Sequence, residues 1–186
     1  MTEHLSKASG VDEEPSADEE AWLLVAVSTA GAADSLRVHV WRKLHGLGAV
    51  YLQQSVCMLP DRPAVAEVLR KLVARIEADG GSVRCLHLRI DDKEERRELI
   101  DEFRRAVTIE YGEVLERLPT LSAGVETGQS RATLREVEEY AVELARLEFL
   151  VTKVRSRDYF HAPAGAEVCA ELDRARAAIA HAKSLF

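Results

Sequence analysis

The feature that most constrains this chain is a helical period with a hard stop at each end. Val65, Val68, Leu69, Leu72, Val73 and Ile76 recur at the spacing of a single helix face. Pro60-Asp-Arg-Pro63 precedes them as a turn and a helix start; a proline in the first helical turn lacks only an N–H that would be unpaired there. Asp79-Gly-Gly81 follows and ends the helix through residues that accept positive φ. Apolar strands flank this unit. Upstream, Trp22–Val27 reads as a buried strand. A helix from about Asp34 to Leu47 comes next, with Leu36, Val40, Leu44 and Leu47 on one face. Asp34 or Ser35 can cap it, and Gly46 and Gly48 end it. Ala49–Gln53 and Ser55–Leu59 are two more strands, either a hairpin or one long bent strand. Downstream, Val83, Cys85, Leu86, Leu88 and Ile90 form a strand with Arg84, His87 and Arg89 interleaved. The order β-α-β-β-α-β predicts an α+β, ferredoxin-like domain: an antiparallel sheet with two helices on one face.

Everything after Asp91 reads as helical, in about three helices. Asp91-Asp-Lys-Glu94 resembles a capping box. Leu99, Phe103, Val107, Tyr111, Val114 and Leu118 make one apolar face, and Pro119–Ser130 reads as a loop with two glycines. A helix from about Arg131 to Val154 buries Leu134, Val137, Ala141, Leu144, Leu147 and Val151. An alanine-rich helix then offers Val168, Leu172, Ala175, Ile179 and Ala182, small enough for close helix–helix approach. The expected division is a disordered acidic tail at 1–20, the sheet domain at 21–91, and a helical region at 92–186 packed on it.

Charge and cysteine usage limit the functional classes. Of the net charge of -7, the first 20 residues carry most: seven acids against Lys7. The remainder has 24 bases and 25 acids, so local basic patches are not swamped by a global acidic field. The longest apolar run, Ala21–Val27, is too short to span a bilayer, and the acidic start is unlike a secretory signal. We therefore expect no membrane partner. Cys57, Cys85 and Cys169 are scattered, with no C-x-x-C pair, which fits reduced thiols and a cytoplasmic protein. No phosphate-loop, nucleophile-elbow, dinucleotide or zinc-protease motif is present, so neither an enzyme nor a cofactor is expected.

One set of residues points to a family. Trp22–Val25, Arg37, Trp41-Arg-Lys-Leu44, Gly48-Ala49, Leu52, Ser55, Pro60 and Gly80-Gly81 form a pattern that resembles the N-terminal domain of the chromate-resistance regulator family, ChrB. E-Y-x-x-x-L-E at Glu110–Glu116 and R-D-Y-F at Arg157–Phe160 extend the resemblance over roughly 21–160. A more distant similarity is to the ferredoxin-like middle domain of the phenylacetate-pathway repressor family, which in turn resembles small CRISPR-associated endoribonucleases. The resemblance implies a ferredoxin-like domain plus helices, a homodimer, and a role in chromate-dependent transcription control. Chromate regulators usually carry a further C-terminal domain, whereas this chain stops at Phe186. The metal-binding aspartate of the endoribonucleases is missing, since the first strand here ends Val27-Ser28-Thr29.

The candidate chemistry lies on the first helix. Arg37, Trp41 and His45 are four apart and share a face, flanked by Arg42 and Lys43. A tetrahedral dianion such as chromate or sulfate wants several N–H donors and positive charge. DNA phosphate wants the same. A solvated helix face is the third reading. His87 and Arg89 share a strand face, with Arg84 opposite, and form either a secondary basic surface or an ordinary charged sheet edge. Cys57 and Cys85 are either a redox pair or buried free thiols. His161, with Asp158 and Cys169, lacks a recognised metal-ligand spacing. Asp158 is expected to fix a turn or pair with an arginine, and Tyr159 and Phe160 to dock their loop. Three functions follow: a regulator that contacts DNA through Arg37, Arg42 and Lys43 in competition with an oxyanion; an oligomeric scaffold without DNA binding; or an oxyanion-handling enzyme.

Overall fold

The structure, a computed structural model, describes residues 21–126 and 133–186. The acidic tail over 1–20 lies outside the described residues. In chain order the elements are β1 (Trp22–Ser28), α1 (Asp34–Gly46), β2 (Val50–Gln53), β3 (Val56–Pro60), α2 (Pro63–Ala78), β4 (Ser82–Leu88), α3 (Lys93–Glu126), α4 (Leu134–Arg155) and α5 (Pro163–Lys183). The sheet order is β2-β3-β1-β4 with every neighbouring pair antiparallel. That order with two crossover helices is the ferredoxin-like arrangement. β2 and β3 are a hairpin, which settles the choice left open by the sequence; its register shifts between Tyr51 and Gln53.

β1 is apolar from Trp22 to Val27 because both of its faces are covered. Leu23 and Val25 join Cys57 and Leu59 against Leu36, Val40 and Leu44 of α1 and Val65, Leu69, Leu72 and Ile76 of α2. On the other face Trp22 and Met58 pack with Leu99, Ile100 and Phe103 of α3. Trp22 is fully buried, stacked at 5.6 Å on Phe160 and 5.7 Å from Phe103. Gly81, just before β4, is required for close approach: an added Cβ would lie 2.8 Å from Ile76 and 3.0 Å from the Ser28 carbonyl. Of the two stop glycines only Gly80 has positive φ, at 82°.

The three C-terminal helices build a separate core from Val107, Tyr111, Val114 and Leu118 of α3, facing α4 and α5. Two sequence expectations need correction here. α3 does not stop at Pro119; it runs through it to Glu126, leaving only 127–130 of the expected loop outside the described residues. Pro119 is exposed while Leu118 beside it is buried. Packing thus outweighs the one backbone bond that the proline removes. Leu134 is not core: it opens α4 and is exposed, whereas Val137, Leu144, Leu147 and Val151 are buried. The capping chemistry also differs in detail. Asp92 alone caps α3, accepting from the Glu94 and Glu95 N–H groups at 2.8 and 3.0 Å. The true capping box is Thr133 with Glu136 on α4. α1 has no side-chain cap, and Asp34 sits in its first turn.

The loop between α4 and α5 joins the two halves. Arg157 forms an ion pair with Glu110 of α3. Asp158 accepts from the Tyr111 hydroxyl at 3.1 Å and from the Ala162 N–H at 2.9 Å. Tyr159 and Phe160 insert beside the sheet core, and the Phe160 carbonyl accepts from Arg104 at 2.9 Å. Asp158 thus fixes a turn, and Tyr159 and Phe160 dock the loop. Among the described residues, no helix is long and apolar enough to cross a membrane.

Candidate functional site

α1 turns Leu36, Val40 and Leu44 inward, three and four residues apart, and leaves the rest of its surface outward. Arg37, Val38, His39, Trp41, Arg42, Lys43 and His45 are all exposed. The side of α1 that looks toward the β2–β3 hairpin borders an open pocket of about 840 Å³. Val40, Leu44 and Cys57, all buried, form its floor together with Val27 at the end of β1. Trp41 and Tyr51 flank it from α1 and β2, and Arg37 and Arg42 stand on its α1 rim. Ser28, Thr29, Gln54 and Ser55 supply polar groups from the strand ends.

The electrostatics of this pocket are simple, because no carboxylate among the described residues lines it. The Arg37 guanidinium lies 3.5 Å from Asp34, an exposed one-turn pair of little strength in water. Arg42 has no ion-pair partner among the described residues. Burial, and secondarily Cys85, push the Cys57 thiol up to about 12, so the floor is neutral at physiological pH. Tyr51 is also raised, first by burial and then by Cys57.

The five first-helix candidates do not act as one cluster. Arg37, Trp41 and Arg42 border the pocket. His45 stacks on Trp41, with centroids 5.2 Å apart and planes 7° from parallel. Lys43 is not on the pocket; two residues from Trp41, it sits ~200° around the helix from it. His87 is on β4, at the opposite sheet edge from β2, with Nδ1 2.8 Å from the Asp61 carboxylate. Arg89 lies beyond the end of β4, which stops at Leu88 rather than Ile90. These two stand apart from the first-helix group. Cys57 and Cys85 both face Val25 from opposite flanks of β1. Two strand spacings, ~9.5 Å, separate them, beyond the reach of a disulfide. They are not a disulfide-forming pair. Cys57 is buried and Cys85 exposed. Among the described residues, no three His, Cys, Asp or Glu side chains gather as a metal would need.

The family model described as "Protein ChrB, N-terminal" matches residues 37–185. The chain belongs to this family. It is also 30% identical over 162 residues to Protein ChrB of Cupriavidus metallidurans (strain ATCC 43123 / DSM 2839 / NBRC 102507 / CH34), a match covering 85% of the chain and 45% of the relative. The chain therefore spans less than half the length of that curated relative.

The ChrB-like sequence pattern divides between two tasks in the structure. Trp22, Gly48, Glu110, Tyr111 and Arg157–Phe160 hold the sheet domain to the helices. Arg37, Trp41, Arg42 and Ser55 surround the pocket. Sequence reasoning missed Ser28, Thr29, Tyr51 and Gln54 as pocket residues. Ser28 and Thr29 were legible as the end of β1, whereas Tyr51 and Gln54 reach the pocket only through the β2–β3 hairpin.

Proposed function

We propose that this protein is a regulatory or sensor protein of the chromate-resistance type that meets DNA phosphate through the outer surface of α1. The observation that carries the reading is an adjacent pair of exposed, carboxylate-free cations on the outer surface of α1. Many arginines of the described surface are paired with carboxylates: Arg70 with Glu67, Arg75 with Asp79, Arg135 with Glu139, Arg176 with Glu148 and Asp173. Arg42 and Lys43 are adjacent, exposed, and without a carboxylate partner among the described residues. Such a pair is available to phosphate without first breaking an internal contact. Arg42 also borders the pocket, so an anion held there competes with DNA for the same guanidinium. The resemblance to chromate-resistance regulators supplies the biological signal in this reading. Gel-shift titration over a range of salt tests it. The double reversal Arg42→Glu, Lys43→Glu should weaken DNA binding and lower the log–log salt slope by about two. An unchanged affinity and slope sinks the DNA role of α1.

A second reading is favoured by α4. Val142, Phe149 and Leu150 are exposed on it, with Val142 and Phe149 seven residues apart and so on one side. An apolar stripe of this kind suits a homodimer interface. Sedimentation combined with a DNA screen separates the readings: an oligomer with no DNA affinity favours a scaffold.

A further inference from the structure

We infer that the pocket beneath α1 binds a small organic anion, its acidic group at Arg37 and Arg42 and its apolar body between Trp41 and Tyr51. Charge sign is the first argument. Four smaller pockets on the described surface each contain carboxylates, such as Glu110 and Glu113, Asp158, Glu138 and Glu139, or Glu148 and Asp173. Among the described residues, the pocket beneath α1 has two guanidinium groups and no carboxylate. Anions are admitted there and cations repelled.

Size and lining supply the second argument. At about 840 Å³ the space suits a drug-sized molecule, and its lining is mainly apolar with a few polar groups at the rim. A bare tetrahedral oxyanion held at the rim arginines would fill a small part of it and leave the apolar floor of Val27, Val40 and Leu44 without a partner. An aromatic or branched aliphatic carboxylate satisfies both regions. Its ring stacks against the indole of Trp41, itself held flat by His45. The site overlaps the proposed DNA contact at Arg42; ligand binding itself needs no DNA, and only its regulatory effect rests on that reading.

The test uses 2-naphthoate as probe and its neutral counterpart 2-naphthamide, titrated calorimetrically into the full chain. Naphthoate should bind at one site at least about tenfold more tightly than naphthamide, the scale of one charge-assisted contact. Arg42→Gln should remove that advantage and leave naphthamide binding unchanged. Trp41→Ala should remove the stacking face and weaken binding of both ligands by about threefold or more. Trp41 and Arg42 are both exposed on α1, so neither variant disturbs the core. Equal affinity for the acid and the amide, displacement of naphthoate by equimolar sulfate or chromate, or unchanged binding of both ligands in Trp41→Ala would each overturn the proposal. Naphthoate binding that leaves DNA affinity unaltered supports the site and counts against the DNA reading.

Discussion

The Tyr159 hydroxyl donates to the Leu47 carbonyl at 2.8 Å, across 112 residues of chain. Leu47 is the C-cap of α1, so this single bond ties the loop before α5 to the end of the helix that borders the pocket. Replacing Tyr159 with Phe keeps the ring and strands the carbonyl. We expect a loss of about 1–2 kcal/mol. In urea the midpoint should fall while the slope stays constant, since the docked loop retains its Arg157 and Phe160 contacts. An unchanged midpoint would show that water replaces the hydroxyl without cost.

Gly48 closes the same junction from the other side. Its φ is 72°, and a Cβ there would sit 3.0 Å from the Arg157 Cβ. Gly48→Ala should destabilise by about 1–3 kcal/mol through strain and crowding together. Gly46 is the control: it is helical, with nothing within 4 Å of an added Cβ. Gly46→Ala should stabilise by roughly 0.5–1 kcal/mol. Thermal melts of the two variants should move in opposite directions, and movement in the same direction would contradict the assigned backbone.

Thiol reactivity should separate the two sheet cysteines. Cys85 is exposed on the β4 edge, whereas Cys57 is 1% exposed with its thiol held neutral by burial. A thiol reagent under native conditions should label Cys85 and leave Cys57 intact until denaturant is added. Oxidant should produce no Cys57–Cys85 crosslink in the folded chain. Peptide mapping after alkylation checks both outcomes, and a native crosslink between them would refute the strand order.

The protein should lose stability in alkali, and the sign follows from the acids that burial keeps protonated. The folded Cys57 thiol titrates at about 12 against an ordinary value of 9.0. Its contribution is complete below pH 9 and declines as pH rises toward 12, because only the unfolded chain then releases the proton. Tyr111 and Tyr159 are both raised above 10.0, chiefly by burial, and act the same way from pH 10 upward. Each group contributes at most ~1.4 kcal/mol per pH unit. Denaturant curves between pH 8 and 10 should show falling stability, and Cys57→Ala should flatten that fall whatever constant offset its cavity adds. An equal slope in the variant would remove Cys57 as the cause.

Local signals in this chain were dependable where a residue's partner lies within a turn or two. The period of Val65, Leu69, Leu72 and Ile76 and the stop at Gly80 were readable because both express backbone preference and one-sided burial. The face from Leu99 to Leu118 was readable for the same reason. Pro119 misled because proline penalises a helix locally, while the packing of neighbouring Leu118 is a long-range gain. Arg37 and Arg42 were legible as cations, but their shared pocket was not, since half of its lining comes from β1 and the β2–β3 hairpin.

Chain order, periodicity and turn chemistry were therefore enough to dictate an antiparallel sheet with two covering helices and a helical extension. Strand order is what separated Cys57 from Cys85 and moved His87 away from α1. Three-dimensional packing alone gathered Tyr159 with Leu47 and the α1 arginines with Ser55, because those contacts join segments whose encounter no local preference encodes.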